Sequence, residues 1–464
     1  MPHLNRLRAE APAGVLESTA PPLTPVAWTS MVTGMSPGHH GVYEFFHRTE
    51  AGWLPVSRRD SRRPALDEIL EGAGRRSILI NLPLSTPARS GAILLADFLA
   101  RGDEPVQPPE LRAESAALRA YRAFWDPVPF AARSVEEIAR EVRETEAARF
   151  RAARHLLETK DWDFAFYGIT GTDHLQHRAL DLLLEQPEAP AAVLDVYRDV
   201  DAIIAWAVDL LRPEDLLLVT SDHGSAVTHR QFFLNQWLVN EGYATWRLGE
   251  SATGDRRGMR AALRALAFRL GLDVRTAALR RRLGQRRRLG GGPVATVDDE
   301  RSRAFMPSAY AWPAVHAPAT DAAALAKRLG SLVDPATGRA LFDHVALAPE
   351  VYPADRLPGG PDIVLTPAAG ISVHPGRSAV LVRDHLRNHH KSAGILIAQS
   401  DADDLHLPRA LGTHRVEDIA PTVLTALGLA HLADGMDGQS LVADPARAAR
   451  LRVRAATAAA LRRA

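Results

Sequence analysis

Two pairs of acidic and histidine residues have the spacing of metal ligands. Asp173 and His177 in TDHLQH are four residues apart, so on a helix they share one face and can grip one ion. Asp222 and His223 follow the apolar run LLLVTS, and on a loop beyond a strand both can turn toward one metal because Gly224 permits a tight bend. Each pair also fits a simpler structural role, as a surface histidine or as an Asp/Gly turn.

The late histidines offer a further ligand. His389 and His390 precede the apolar run GILIA in NHHKSAGILIA, and His414 lies in GTHRVEDIAPTVL. Spacing alone leaves all three as candidates. The chain has 18 His and no Cys, which excludes disulfides, thiolate metal sites and cysteine nucleophiles. Any metal must therefore be held by histidines and carboxylates.

A hydroxyl nucleophile is indicated near the start of the chain. In PPLTPVAWTSMVTG, Thr24 before Pro25 predicts a helix N-cap, and Gly34 predicts the end of that helix. A hydroxyl at this position also lies where backbone N–H groups favour a phosphoryl oxyanion. Because a Thr hydroxyl is a poor nucleophile unaided, two divalent ions about 4 Å apart beside it would clamp a phosphoryl group and activate the hydroxyl.

The composition is that of a globular protein. Of the 464 residues, 46% are hydrophobic and 24% are charged, and the formal net charge is +1. This balance argues against a chain that coats nucleic acid or an acidic membrane. We find neither a signal-peptide pattern nor an apolar stretch of about 18 residues, and we therefore expect no membrane span and a cytoplasmic location.

Strands and helices are predicted to alternate along the chain. Short apolar runs predict buried parallel strands, and longer Ala/Leu/Glu/Arg-rich segments predict helices. The predicted strands are 77–82, 163–168, 216–220, 378–382 and 394–398, and the predicted helices include 135–159, 191–211 and 416–427. This alternation favours a doubly wound α/β fold, in which ligands collect at the carboxyl ends of the strands.

Two basic segments stand apart from this pattern. The Arg-rich run at 279–292 is interpreted as a solvated helical insertion with a Gly-rich linker, because no aromatic residues interleave with its arginines. RNA binding through this run is the alternative. Residues 444–464 are predicted to form a basic surface helix.

The ordered set of motifs resembles the alkaline phosphatase superfamily, in the branch of type I phosphodiesterases and nucleotide pyrophosphatases. The motifs run through PPLTPVAWTSMVTGMSPGHHGVYEFF, INLPLSTP, TDHLQH, TSDHG, FFLNQWLVNEGY, LVDPATG, PDIVL, HKSAGILIA, EDIAPTVLTALGL and MDGQSL. The resemblance implies an alkaline phosphatase-like, mostly parallel sheet with helices on both faces. It places the catalytic core at 1–242 and 352–443 and an inserted cap at 243–351.

The resemblance also implies roles for the candidate residues. Thr24 matches a nucleophile that touches a zinc, forms a phosphothreonine intermediate and cleaves a small-molecule phosphoester. Asp173 and His177 match ligands of one zinc, Asp222 and His223 match ligands of the other, and His390 matches the last ligand of the first zinc better than His414. Two divalent ions are thus implied, zinc first and manganese or magnesium as alternatives.

The sequence departs from the family pattern in two places. The family begins with a buried strand that ends in Asp-Gly and supplies a ligand to the second zinc, whereas here a helix-like segment at 4–9 comes first. The resemblance also implies an oxyanion-binding Asn where this chain has Phe45. A catalytically impaired binding or scaffold module is therefore the alternative to an active hydrolase. The absence of Cys excludes the formylglycine sulfatases of the superfamily in their usual form.

Overall fold

The computed structural model describes residues 1–49, 52–100, 104–123, 133–247, 296–402 and 407–442. Its strands are β1 (Ala13–Glu17), β2 (Phe46–Thr49), β3 (Gly52–Pro55), β4 (Ser77–Ile80), β5 (Ile93–Leu95), β6 (Val106–Gln107), β7 (Phe164–Tyr167), β8 (Leu217–Thr220), β9 (Gly224–Phe233), β10 (Ala314–Val315), β11 (Phe342–Leu347), β12 (Ile363–Pro367), β13 (Ile371–His374), β14 (Val382–Lys391), β15 (Ala393–Gln399) and β16 (Ala410–Arg415). Its helices are α1 (Pro2–Glu10), α2 (Thr24–Thr33), α3 (Pro37–His40), α4 (Leu66–Gly72), α5 (Ala116–Arg119), α6 (Val135–Thr159), α7 (Gly171–Leu184), α8 (Ala191–Leu210), α9 (Leu234–Asn240), α10 (Ala319–Gly330), α11 (Ala348–Val351) and α12 (Ile419–Ala426).

Two four-stranded sheets form the centre of the fold. One has the order β16-β1-β15-β8 and the other the order β6-β5-β4-β7. Parallel pairs join β1 to β16 and β4 to both β5 and β7. Helices α2, α6, α8 and α12 bury apolar faces in the adjoining cores. The predicted α/β architecture is confirmed.

The predicted strands and helices named above are present, with one exception, and one central strand was not predicted. Strands β4, β7 and β8 and helices α6 and α8 match their predicted ranges to within a few residues. The strand predicted at 378–382 is wrong, because only Val382 belongs to β14. Strand β1 was not predicted, because the nonpolar run of AGVLE is short and contains a glycine.

The strand predicted at 394–398 exists as β15, but its direction differs from the parallel one predicted. It is antiparallel to both β1 and β8. The reason is its connection: β15 follows β14 after the single residue Ser392, so it starts at the end of the sheet where β8 finishes. The residues before β15 and those after β8 therefore lie at the same edge.

Helix α1 is stabilised from outside its own sequence. The side chain of Asp201 on α8 accepts hydrogen bonds from the backbone N–H groups of His3 and Leu4, at 3.1 and 2.9 Å. A carboxylate at this position satisfies free N–H groups and interacts favourably with the helix dipole. Within the described part of the chain, every helix is too short or too polar to cross a membrane.

The segment predicted as a cap contributes to a second hydrophobic core. Strands β10, β12 and β11 form a three-stranded sheet, in which β12 lies beyond the predicted cap boundary at 351. The core beneath it combines Leu325 of α10 with Leu238 of α9 and Ile363 of β12. The Arg-rich run at 279–292 and the predicted basic helix at 444–464 lie outside the described residues.

Candidate active site and metal centre

A cavity of about 1310 Å³ runs between strands β7 and β8 and reaches the loops at their carboxyl ends. Strand β7 pairs with β4 and strand β8 pairs with β15, and neither has a second partner among the described strands. Every predicted site residue contributes to the cavity wall, namely Thr24, Asp173, His177, Asp222, His223 and His390. The fold thus brings together side chains from α2, α7, the β8–β9 connection and β14.

Asp173, His177 and His390 form a compact triangle of ligand atoms. His390 Nε2 lies 3.0 Å from His177 Nε2 and 3.4 Å from Asp173 Oδ1, and His177 Nε2 lies 3.6 Å from Asp173 Oδ1. The first two residues lie one helical turn apart on α7, as predicted. The third comes from β14, which lies alongside α7 and antiparallel to β9.

The orientation of the His390 ring is fixed by the segment that leads to Thr24. His390 Nδ1 lies 3.0 Å from the carbonyl oxygen of Pro22. Because a carbonyl oxygen only accepts hydrogen bonds, Nδ1 carries a proton, and Nε2 is the ring nitrogen that faces the triangle. A hydrogen bond of this kind is typical of metal-binding histidines.

The other candidate histidines are placed differently. The His389 ring also lines the cavity, but it packs against Trp312, with ring centroids 5.1 Å apart. His414 lies on β16, where its Nδ1 is 3.3 Å from Asp418 Oδ2, and it is not part of the cavity wall. His174 lines the cavity from a different face of α7 than its neighbour His177.

Asp222 and His223 form a second set next to the triangle. His223 Nε2 lies 3.2 Å from Asp222 Oδ2, and the His223 ring stacks on the His390 ring at 3.6 Å between centroids. Gly224 allows two segments of the chain to approach closely here, since an added Cβ would lie 2.1 Å from the carbonyl oxygen of Ala393. The bend predicted after β8 is centred on Asp222, and the glycine itself is required by this close approach where β9 begins.

Thr24 is the first residue of α2 and is 6% exposed. The N-cap position belongs to Leu23, so the prediction that Thr24 caps the helix is wrong by one residue. Gly34 ends the helix in the left-handed conformation, with φ of 68°, as predicted. The Thr24 hydroxyl is therefore placed at the first turn of a helix and on the wall of the cavity.

Burial and neighbouring charges shift the pKa values of these groups in different directions. Burial lowers the pKa of His223 to about 3 and also lowers the pKa of His177, so both rings are neutral at pH 7. Burial, reinforced by repulsion from Asp173, raises the pKa of Asp222 to about 7. Burial opposes charge on Asp173 and on His390, but their attraction to each other and to neighbouring groups lowers the first pKa and raises the second. Such divergent shifts are typical of functional sites.

The donor set fits divalent metal ions. Zinc binds His nitrogen and carboxylate oxygen at about 2.0–2.2 Å, so two ligand atoms of a tetrahedral ion lie about 3.3 Å apart. The three separations of the triangle, 3.0 to 3.6 Å, bracket that value. In addition, Asp173 Oδ1 and His223 Nε2 are buried and make no well-formed hydrogen bond within the described part of the chain. Asp173, His223 and His390 offer ligand atoms within 4.8 Å of one another, so the two sets adjoin.

Several residues near the site were not identified from the sequence. The Gln176 amide donates to the Tyr197 hydroxyl at 3.0 Å and accepts from the Ser225 hydroxyl at 2.6 Å, which ties α7 to α8 and β9. The Pro22 carbonyl is a backbone group, so no residue type marks its role. Phe45, where the resemblance implied an Asn, lines the cavity as an aromatic wall.

Comparisons with known proteins identify structures with a similar fold. The chain is similar to phosphonoacetate hydrolase from Sinorhizobium meliloti 1021 in complex with phosphonoacetate, at 16% identity, 92% coverage of this chain, 90% coverage of that chain and a TM-score of 0.53. Murine ectonucleotide pyrophosphatase/phosphodiesterase 5 is similar at 14% identity, with 92% and 90% coverage and a TM-score of 0.48. No curated protein sequence matches the chain.

A family model described as type I phosphodiesterase / nucleotide pyrophosphatase matches residues 1–372. That range holds Thr24 and the ligand candidates on α7 and after β8, and it ends before His390. The match covers most of the chain, and the fold is that of the alkaline phosphatase superfamily. The chain belongs to the type I phosphodiesterase/nucleotide pyrophosphatase family, whose membership supports phosphoester hydrolysis.

Proposed function

We propose that the protein is a metal-dependent hydrolase of small-molecule phosphoesters that acts through a covalent ester on Thr24. The observation that carries the proposal is the triangle of Asp173, His177 and His390, with separations of 3.0 to 3.6 Å, on the same cavity wall as Thr24. Family membership supports the reaction class. Zinc is the first choice of metal because the donors are histidines and carboxylates.

Each of the two ligand sets would bind one metal ion. Asp173, His177 and His390 would hold one ion, and Asp222 and His223 would hold the second next to the Thr24 hydroxyl. Bound divalent ions would polarise phosphoryl oxygens and favour the ionised forms of a hydroxyl or water. Neutral His177 and His223 suit this task, since a protonated ring has no lone pair to offer.

In the proposed reaction, the protein itself supplies the nucleophile, the Thr24 hydroxyl. Thr24 Oγ1 would attack phosphorus in line with the ester bond, lose its proton, and release the alcohol as the P–O bond breaks. A water molecule would then attack the phosphorus of the resulting Thr24 ester, freeing the hydroxyl and the phosphate product. Pro25 has no N–H, and the Val26 and Ala27 N–H groups donate to the Leu23 carbonyl oxygen, so the N-terminal turn of α2 would offer the positive end of its dipole to the phosphoryl oxygens.

The walls beyond Thr24 form the surface that a substrate would meet. Phe45, Phe98 and Ala311 line the cavity there, and Ala311 belongs to the segment 243–351 proposed as a cap. An apolar wall offers no amide to a phosphoryl oxygen. We therefore propose phosphoester hydrolysis in general, with nucleotide pyrophosphatase activity as one member of that class.

We further propose that in the active enzyme a strand fills the space between β7 and β8. Both strands run toward the site, and their side chains are half-buried although those of β4 are fully buried. The cavity between them has about 1310 Å³. By the family resemblance, such a strand would end in a carboxylate beside Asp222 and His223 and complete the second ligand set.

The alternative is a binding or scaffold module without turnover. The observation that favours it is the second ligand set, which has fewer residues than the first. The ends of β7 and β8 would then frame a binding cleft, and metal at the triangle would serve structure alone.

The test is metal-dependent turnover. Protein stripped with a chelator is assayed with a chromogenic phosphodiester and a chromogenic phosphomonoester, before and after Zn²⁺ is restored. We expect hydrolysis of at least one substrate that disappears with the chelator and returns with Zn²⁺. Metal binding without any hydrolysis, both in the 464-residue chain and in the extended protein described below, would instead support the scaffold alternative.

The proposed additional strand has its own test. The in-frame DNA upstream of the Met1 codon is translated, and protein with that extension is compared with the 464-residue chain for bound Zn²⁺. We expect an apolar run ending in Asp and a rise from about one to about two equivalents of Zn²⁺. Equal metal content in the two proteins would refute the proposal.

A further inference from the structure

Helix α7, which carries Asp173 and His177, has no cap of its own. Thr170 occupies its N-cap position, but the Thr170 side chain makes no capping hydrogen bond. The cap comes from another helix: Glu146 Oε1 on α6 accepts a hydrogen bond of 2.8 Å from the backbone N–H of Gly171. A carboxylate at a helix N-terminus satisfies a free N–H group and interacts favourably with the dipole.

The Glu146 carboxylate is itself held by a buried arginine. Arg149 Nη1 donates to Glu146 Oε1 at 3.0 Å and to Thr170 Oγ1 at 2.8 Å, and its side chain is 0% exposed. Arg149 is anchored in turn by the carbonyl oxygens of Arg122 and Ala123, at 3.0 and 2.8 Å. The ion pair is thus held at Glu146 by the Gly171 N–H and at Arg149 by two carbonyl oxygens.

A third buried residue, Asn81, lies immediately after β4 and holds the same turn. The Asn81 amide donates to the carbonyl oxygen of Gly168 at 2.8 Å and to Thr170 Oγ1 at 3.1 Å. The connection from β7 to α7 is therefore held at Gly168, Thr170 and Gly171. Gly171 also lies against α6, since an added Cβ would be 2.7 Å from Val142 Cγ1.

Stability alone is a weak explanation for this arrangement. Replacing a buried ion pair by apolar side chains of similar volume is often neutral or stabilising. Metal ligands, however, must be held within about 0.5 Å of their working positions. Asp173 lies two residues beyond the capped N–H, so the rotation and height of the first turn of α7 set the position of its carboxylate.

We propose that Glu146, supported by Arg149, is a positioning residue that sets the metal affinity of Asp173 and His177. The proposal rests on the proposed function, because it requires these two residues to be metal ligands. Residues that orient metal ligands commonly change affinity by about 10- to 100-fold when they are replaced. Neither Glu146 nor Arg149 would touch the metal or the substrate.

The test compares metal affinity with stability. The full chain carrying Glu146→Met and Arg149→Met together is titrated with Co²⁺ after chelation, with the visible spectrum of bound Co²⁺ as a second readout. The control carries Arg140→Met and Glu144→Met on the exposed face of the same helix. We expect the first protein to fold with a lower urea midpoint, because the Gly171 N–H and two carbonyl oxygens lose their partners, to bind Co²⁺ about 10- to 100-fold more weakly and to change the spectrum. The control should match wild type in all three.

Wild-type affinity and an unchanged Co²⁺ spectrum in the folded double variant would overturn the proposal. Should that variant not fold, Glu146→Gln decides, because it keeps an acceptor for the Gly171 N–H and loses the charge. A smaller loss of affinity in folded Glu146→Gln supports positioning, and no loss overturns it. If wild type itself binds no Co²⁺, the proposed function has failed, which is a different result.

Discussion

A single hydrogen bond links the two halves of the candidate site. The His390 ring donates from Nδ1 to the Pro22 carbonyl, and Pro22 lies two residues before Thr24. The same contact that turns the Nε2 atom toward the triangle also fixes the segment entering α2. Movement of the metal-ligand candidate and of the nucleophile candidate is therefore coupled through one backbone oxygen.

His177 and His174 form a matched pair for testing the triangle, because both are on α7 and both line the cavity. We expect His177→Ala to weaken Zn²⁺ binding by more than about 100-fold, since it removes a ligand and not only a supporting contact. His174→Ala should change the affinity by less than about threefold, because Nε2 of His177, not the His174 ring, forms the triangle. Competition with a chromogenic chelator measures both dissociation constants. Equal losses in the two variants would contradict the assignment.

His40 gives the folded protein a dependence on pH. It is fully buried, its Nδ1 accepts from the Val42 N–H, its Nε2 lies 2.9 Å from Ser30 Oγ, and burial lowers its pKa to about 3. Between about pH 3 and 6.5 the unfolded chain binds a proton at this residue and the folded chain does not, so stability rises with pH by up to about 1.4 kcal/mol per unit. This contribution is complete above the unfolded pKa and is lost on acidification.

The measurement is the urea unfolding free energy between pH 4 and 7, taken for wild type and for His40→Gln. The variant should show a shallower rise with pH than wild type, by up to about 1.4 kcal/mol per unit. His3→Gln, at an exposed side chain, serves as the control and should keep the wild-type slope. Parallel pH profiles for wild type and His40→Gln would show that burial of this ring carries no proton linkage.

At the scale of elements, the connection from β7 to α7 depends on a close approach to β4. A Cβ at Gly168 would lie 2.5 Å from the backbone oxygen of Asn81, so Gly168→Ala must displace the turn. We expect a cost of about 1–3 kcal/mol in the free energy of unfolding. At Gly72, the last residue of α4, an added Cβ meets nothing within 4 Å, and Gly72→Ala should be neutral or stabilise by up to about 1 kcal/mol. Urea midpoints measure both, and equal shifts would be inconsistent with the close approach.

Periodicity and composition predicted the long helices and the apolar strands, because each carries its own signal. Helix α6 begins and ends at the residues predicted, Val135 and Thr159. The direction of β15 could not be predicted in the same way, since it depends on where β14 delivers the chain. Strand β1 was missed because the nonpolar run in AGVLE is short and contains a glycine, which is unfavourable in strands.

The same reasoning explains how much of the site was predictable. Asp173 and His177 follow from helical spacing, and Asp222 and His223 follow from their place after a strand. The choice of His390 depends on the antiparallel direction of β15, which puts residues before that strand beside residues after β8. Glu146 and the Pro22 carbonyl act through contacts between distant segments, which leave no local pattern.

At the scale of the whole molecule, the candidate site lies where the edge strands of two sheets border the same cavity. The sheet that ends at β8 and the sheet that ends at β7 have unshared edges toward one cavity of about 1310 Å³. The site residues lie on the walls at the carboxyl ends of these edges, where ligands collect in open α/β sheets. Whatever occupies the space between the strands therefore affects both ligand sets together.

Turnover by Thr24→Ala, measured beside Thr24→Ser and wild type after Zn²⁺ loading, tests the central claim most directly. We expect Thr24→Ala to retain metal at the triangle, because His177 and its partners are unchanged, and to lose at least about 10³-fold in kcat. Thr24→Ser keeps a hydroxyl and should retain measurable turnover. Hydrolysis by metal-loaded Thr24→Ala within about tenfold of wild type would contradict a covalent mechanism through this residue.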